Sequence, residues 1–116
     1  MVNSSELQSI FALNTGTENY YLFPPLKQKY TDGVKNVVDK AEAEWLLSDI
    51  LVLLTALKRK DFTSIKLTVK DKKAVLLLTD GNFGKVYEQV YKYTDFPEGE
   101  WIFFFQDNVL MLNTEY

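Results

Sequence analysis

Apolar positions follow two different periods along this chain. Up to Leu57 they recur about every 3.6 residues, and from Ile65 onward they alternate every second residue. The densest apolar stretch runs from Trp45 to Leu57. On a helical wheel Leu46, Leu47, Ile50, Leu51, Leu53, Leu54 and Leu57 share one broad sector, and Trp45, Val52 and Ala56 form a second on the far side. Only Glu44, Ser48, Asp49 and Thr55 interrupt them. A helix apolar nearly all round is a buried helix. The pattern therefore predicts a central helix over Ala43–Leu57, with Ile50, Leu53 and Leu54 at its most central positions.

The flanking elements follow from the same reading. Ser4 or Ser5 caps a first short helix whose Leu7, Ile10 and Phe11 share a face. Thr17–Phe23 reads as a strand stopped by Pro24-Pro25. Thr31 or Asp32 caps a second helix carrying Val34, Val37, Val38 and Ala41 on one side. One long helix or two angled ones both fit the stretch from Asp32 to Leu57. Beyond it, Ile65, Leu67 and Val69 alternate with Lys66, Thr68 and Lys70, a half-buried strand. Ala74–Thr79 is a second strand, Lys85–Tyr93 a third, and Trp101–Phe105 with Val109–Leu112 a closing hairpin. Helices first and hairpins after predict a single α+β domain over 1–116: a buried central helix on an antiparallel meander of about four to five strands.

Composition narrows the class. With 47% hydrophobic and 25% charged residues the chain is an ordinary globular one, and at 116 residues it can bury a core without staples. No stretch is long and apolar enough to suggest a membrane span, and the N-terminus lacks the pattern of a signal peptide, so a cytoplasmic protein is expected. The net charge of −3 conceals an island. Lys58, Arg59, Lys60, Lys66, Lys70, Lys72 and Lys73 crowd together against only Asp61 and Asp71. One basic island in an acidic protein argues against general nucleic-acid binding, while leaving room for one small anion.

The segments GTENYYLF (16–23), YTDGV (30–34), AEAEWLL (41–47), TDGN (79–82), TDFP (94–97) and DNVLMLNTEY (107–116) resemble an uncharacterised domain-of-unknown-function family of small bacterial, phage and mobile-element proteins. The family carries a glycine where this chain has Glu42, and an aspartate directly after WLL where this chain has Ser48. That glycine implies a break near 41–43 and hence two helices. The resemblance implies a phage or mobile-element setting and no particular reaction.

Chemistry is bounded mainly by what is missing. The chain has no histidine and no cysteine, which removes the usual near-neutral acid/base, Ser-His-Asp and Cys-His nucleophilic systems, and zinc sites built on those ligands. No phosphate-binding or dinucleotide glycine motif is present, and Asp80-Gly81-Asn82 reads as a hairpin turn rather than a calcium loop. No metal or cofactor is expected; Glu18, Asp32 and Glu44 are the carboxylates that would have to converge on Mg²⁺ or Mn²⁺. Glu44 and Ser48, at i and i+4, line a pocket or mark the helix's wet edge.

Three groups of residues remain as candidates for partner or ligand binding. Glu18, Tyr20 and Asp32 lie in the family-like motifs, and Asp32 also suits a helix cap. Lys66 and Lys70 share one strand face, either as a solvated sheet surface or as an anion site. Tyr87 and Tyr91 share a face of the third strand with Tyr93, either turned outward as an aromatic patch or packed inward with their hydroxyls at the rim. The function expected is non-catalytic binding: a phage or mobile-element protein that occupies a surface on a host protein, for example an antiviral defence component. Capture of a nucleotide-like anion by the lysine island and a tyrosine is the alternative, and a carboxylate-based hydrolase or transferase the third. Oligomeric state stays open, a homodimer included.

Overall fold

A computed structural model of the chain describes residues 2–17, 19–22, 26–82 and 84–116. Helix α1 (Ser4–Leu13) leads into strands β1 (Tyr20–Leu22) and β2 (Lys29–Thr31), then helices α2 (Asp32–Ala41) and α3 (Glu44–Ala56). Five strands follow: β3 (Thr63–Lys70), β4 (Lys73–Thr79), β5 (Lys85–Tyr91), β6 (Gly99–Gln106) and β7 (Val109–Leu112). The α+β class holds, with the helices gathered on one face of a single sheet. That sheet has seven strands in the order β1-β2-β7-β6-β3-β4-β5, more than the four to five expected. Of the two strands outside that meander, β1 falls within the strand expected over 17–23, and β2 was not expected; each is three residues long, and β2 pairs parallel to β7. Three residues show no period, so β2 was not visible in the pattern.

The helix termini obey local chemistry. Asn3, one residue before the serines expected to cap α1, takes that role by accepting the Glu6 N–H at 2.8 Å, since asparagine caps as well as serine. Thr31 rather than Asp32 caps α2, its hydroxyl accepting the Val34 N–H. Two helices form, not one. Glu42 ends α2 in the left-handed region with φ 52°, where glycine is the least costly residue.

Helix α3 spans nearly the expected range and forms the middle of the core. Leu46, Leu47, Ile50, Leu51 and Leu54 are buried against Ile65, Leu67, Leu76, Leu78, Trp101, Phe103 and Phe105. Two expectations need correction. Leu51 is fully buried while Leu53 is only partly so. The far sector is not covered either: Trp45 is 38% and Val52 49% exposed. The molecule has one helical layer, so α3 meets the sheet on one side and water on the other.

Strands β3, β4, β6 and β7 alternate between buried and more exposed positions. In β3 the odd positions Thr63 to Val69 are buried under the helices, and Ser64, Lys66, Thr68 and Lys70 point the other way. Tight turns hold this register. Asp71 and Lys72 are both left-handed, as are Asp107 and Asn108, the pattern of two-residue hairpin turns. The segment 92–98 then departs from a simple meander. It carries the chain from the β5 edge past the ends of β4 and β3, so that β6 pairs with β3. Passing the β3–β4 turn, Thr94 donates its N–H to the Lys72 carbonyl at 2.8 Å.

Candidate functional site

The motif residues at the β1–β2 end of the sheet are occupied in holding the fold. Glu115, in the short turn after β7, accepts from Thr31 Oγ1 at 2.6 Å, Leu112 N at 2.9 Å, Thr17 Oγ1 at 3.0 Å and Gly33 N at 3.3 Å. A Cβ at Gly33 would collide with that carboxylate, which explains the glycine of YTDGV and ties it to the C-terminal NTEY. Asp32 accepts the Asn19 N–H at 2.9 Å, and its hydrogen bond to Tyr21 raises that phenol above its ordinary range. Tyr20 is exposed on the edge strand. Glu18 lies outside the described residues. Among the described residues no three carboxylates converge as a metal site.

The lysine island divides. Arg59 is engaged structurally, donating to Thr63 Oγ1 at 2.9 Å and to the Phe62 carbonyl at 3.2 Å. Lys66 stands 3.9 Å from Glu100 on the neighbouring strand. Lys70 and Lys73, flanking the β3–β4 turn, are joined by Lys92 just past β5, and none of the three makes an ion pair among the described residues. With Thr68, Val75 and Val90 they line a concavity of about 570 Å³. This is the side of the sheet that no helix covers. Toward β6 its surface continues through Leu77, Ile102 and Phe104, with Phe62, Phe104 and Tyr116 in mutual ring contact at centroid distances of 5.0, 5.7 and 5.2 Å.

The tyrosines lie on the opposite face. Tyr87 pairs with Leu78 and Tyr91 with Ala74, both inward-facing partners, so Val90 points out and the tyrosines point to the helix side. Tyr91 packs edge-on against Trp45 at 5.3 Å and donates its hydroxyl to Asp49 on α3 at 2.7 Å. Burial first, and Asp49 second, push its phenol far above the usual range. Tyr87 keeps 37% exposure at the sheet edge. The expected residues therefore fall in three places: Lys66 and Lys70 on the open face, Tyr91 packed on α3 with Tyr87 exposed on the same side at the sheet edge, Tyr20 and Asp32 near the far edge.

The pattern of the sequence did not single out a second concavity at the helix side. Trp45, Tyr91, Tyr93 and Phe96, with Glu42 and Asp95, line about 440 Å³. Its walls come from AEAEWLL and TDFP, two stretches that carried the family resemblance. Their meeting depends on the crossover segment 92–98, which periodicity does not reveal.

Fold and surfaces together define a two-layer α+β domain with an uncovered sheet face and an aromatic pocket. A family model described as a family of unknown function (DUF6876) matches residues 5–116, and the chain belongs to that family. No curated protein and no solved structure matches it. Among the described residues no helix is long and apolar enough to cross a membrane.

Proposed function

We propose that this is a non-catalytic binding protein whose open sheet face seats an acidic surface of a partner protein. The observation that supports it is the uncovered face itself: Lys70, Lys73 and Lys92, without an ion pair among the described residues, stand beside exposed Val90 and the Val75, Leu77, Ile102 and Phe104 surface. An apolar centre with a charged rim is the anatomy of a protein interface. The rim cations select an acidic partner and speed its encounter. The phage or mobile-element setting implied by the sequence resemblance makes a host protein in the bacterial cytoplasm, such as a defence component, the partner to seek.

The test is capture of such a partner by the wild type and by the triple variant Lys70→Glu, Lys73→Glu, Lys92→Glu. All three side chains are solvent-exposed, so the variant should fold normally while capture falls by tenfold or more and the wild-type complex weakens with salt, as expected for steering charges (~10-fold). Capture unaffected by charge reversal, or turnover abolished by one carboxylate substitution, would overturn the reading. The same concavity also suits a small anion, with Thr68 able to donate a hydroxyl. A nucleotide panel that raises the melting temperature by mass action, an effect lost in the triple variant, would favour that second reading.

A further inference from the structure

The aromatic pocket on the helix side has a composition opposite to that of the lysine concavity. Four rings contribute to its wall: Trp45, Tyr91, Tyr93 and Phe96. Trp45 is the hub, 5.3 Å from Tyr91 and 6.4 Å from Phe96 by ring centroid, and edge-on to both. Phe96 is braced from behind by Trp101 at 6.2 Å, whose indole N–H is fixed to the Pro97 carbonyl at 2.8 Å. Phe96 is thus held by a buried neighbour, while Trp45 and Tyr93 reach the surface.

The charged side chains that line the pocket, Glu42 and Asp95, are both carboxylates. Asp49 takes the Tyr91 hydroxyl at 2.7 Å and Asp95 takes the Tyr93 hydroxyl at 2.7 Å. Both phenol protons point at carboxylates, so these carboxylates lie at the ring edges and reinforce the negative faces. Glu42, at the rim, makes no ion pair or side-chain hydrogen bond among the described residues. It sits there in a left-handed conformation, φ 52°, that costs a non-glycine residue energy. Among the described residues no lysine or arginine lines the pocket. Lys72 stands over one of its rings, its Nζ 6.0 Å from the Tyr93 centroid.

Aromatic faces attract cations within about 6 Å, and tryptophan does so best. A volume of about 440 Å³ is of small-ligand size. We propose that this pocket is a binding site for an N-alkylated ammonium, with Trp45, Tyr93 and Phe96 forming the cage and Glu42 and Asp95 supplying the countercharge. The site is independent of the open face and stands whether or not that face binds a partner. The same head group occurs on free quaternary amines and on methylated lysine side chains of proteins.

Titration calorimetry with tetramethylammonium, choline and 3,3-dimethylbutanol, the uncharged shape-match of choline, tests the site at constant ionic strength. Choline and tetramethylammonium should bind saturably and the neutral alcohol ~10-fold more weakly, as the cation–π contribution requires. Trp45 fluorescence should respond. Trp45→Leu should weaken binding ~10-fold or more, and Glu42→Gln by a few-fold (~3-fold), at unchanged far-UV circular dichroism. Should Trp45→Leu fail to fold, Tyr93→Leu replaces it, since that ring is 65% exposed. A trimethyl-lysine peptide that binds more tightly than choline assigns the head group to a protein side chain, and the reverse order assigns it to a free amine. Equal binding of the neutral alcohol, survival of binding in the cage variants, or no saturable binding by any probe would overturn the proposal.

Discussion

The two faces of strands β3 to β5 are built from the same seven- and eight-residue strands and do opposite work. On the inner face Ile65, Leu67, Leu76 and Leu78 are fully buried beneath α3. On the outer face Lys66, Thr68, Val75 and Leu77 remain partly exposed, with Lys70, Lys73 and Val90 open to water. Leucine at 76 and leucine at 77 are neighbours in sequence and belong to different parts of the protein, one to its stability and one to its surface. Apolar content alone therefore does not mark the core here; the second layer does.

The sharpest way to break that comparison is a pair of truncations. Leu54→Ala, at the centre of α3, should cost roughly 2–5 kcal/mol, while Leu77→Ala on the open face should cost under about 1 kcal/mol. Denaturant unfolding of both variants decides it. Equal losses would mean that the open face is covered, in solution, by something as tightly packed as α3.

Tyr91 links the two layers at the β5 edge, and its effect should be intermediate. Tyr91→Phe removes the hydrogen bond to Asp49 and should cost about 1.5 kcal/mol. Its pH dependence follows from the direction of the shift. Folded Tyr91 holds its proton well beyond the ordinary tyrosine range, so its contribution is fully present below the unfolded value near pH 10 (about 10). It is lost as pH rises further, because the unfolded chain then releases the proton and the folded one does not. Stability curves measured from neutral to alkaline pH should fall more steeply for the wild type than for Tyr91→Phe. Identical slopes would show that the ring is not held as described.

The smallest effect concerns the rim of the aromatic pocket. Glu42→Gly relieves the left-handed strain at the α2–α3 break and should raise stability by up to about 1 kcal/mol. Thermal unfolding checks the sign. A stabilised variant that also binds alkylammonium less well would show a conformational cost borne at a functional position; a destabilised one would mean that the Glu42 side chain supports the fold.

Much of the architecture is legible in the sequence. The change of apolar period at residue 57 separates helices from strands because burial against a layer imposes 3.6 in one case and 2 in the other. That is why α3, β3, β4 and the β6–β7 hairpin emerged close to their observed limits. The break at 41–43 was readable only through the family glycine, since Glu42 by itself gives no sign of a left-handed residue. The lysine island was also legible, as local charge density is a property of sequence. Which of its members remain unpaired was not, because Glu100 comes to Lys66 from β6, distant in sequence but paired directly with β3.

What only the tertiary structure decided is which side of each strand and helix would be covered. Alternation in β5 is equally consistent with tyrosines in or out, and the choice fell inward because Tyr91 finds Asp49 and Trp45 on α3. The far side of α3 reads as core by composition yet stays wet, because the chain supplies only one helical layer. The aromatic pocket depends on a crossover that brings residues 93–96 beside residues 42–45. Local propensity and periodicity act over a few residues, whereas that pocket is assembled by contacts some fifty residues apart, whose stability comes from the folded core they share.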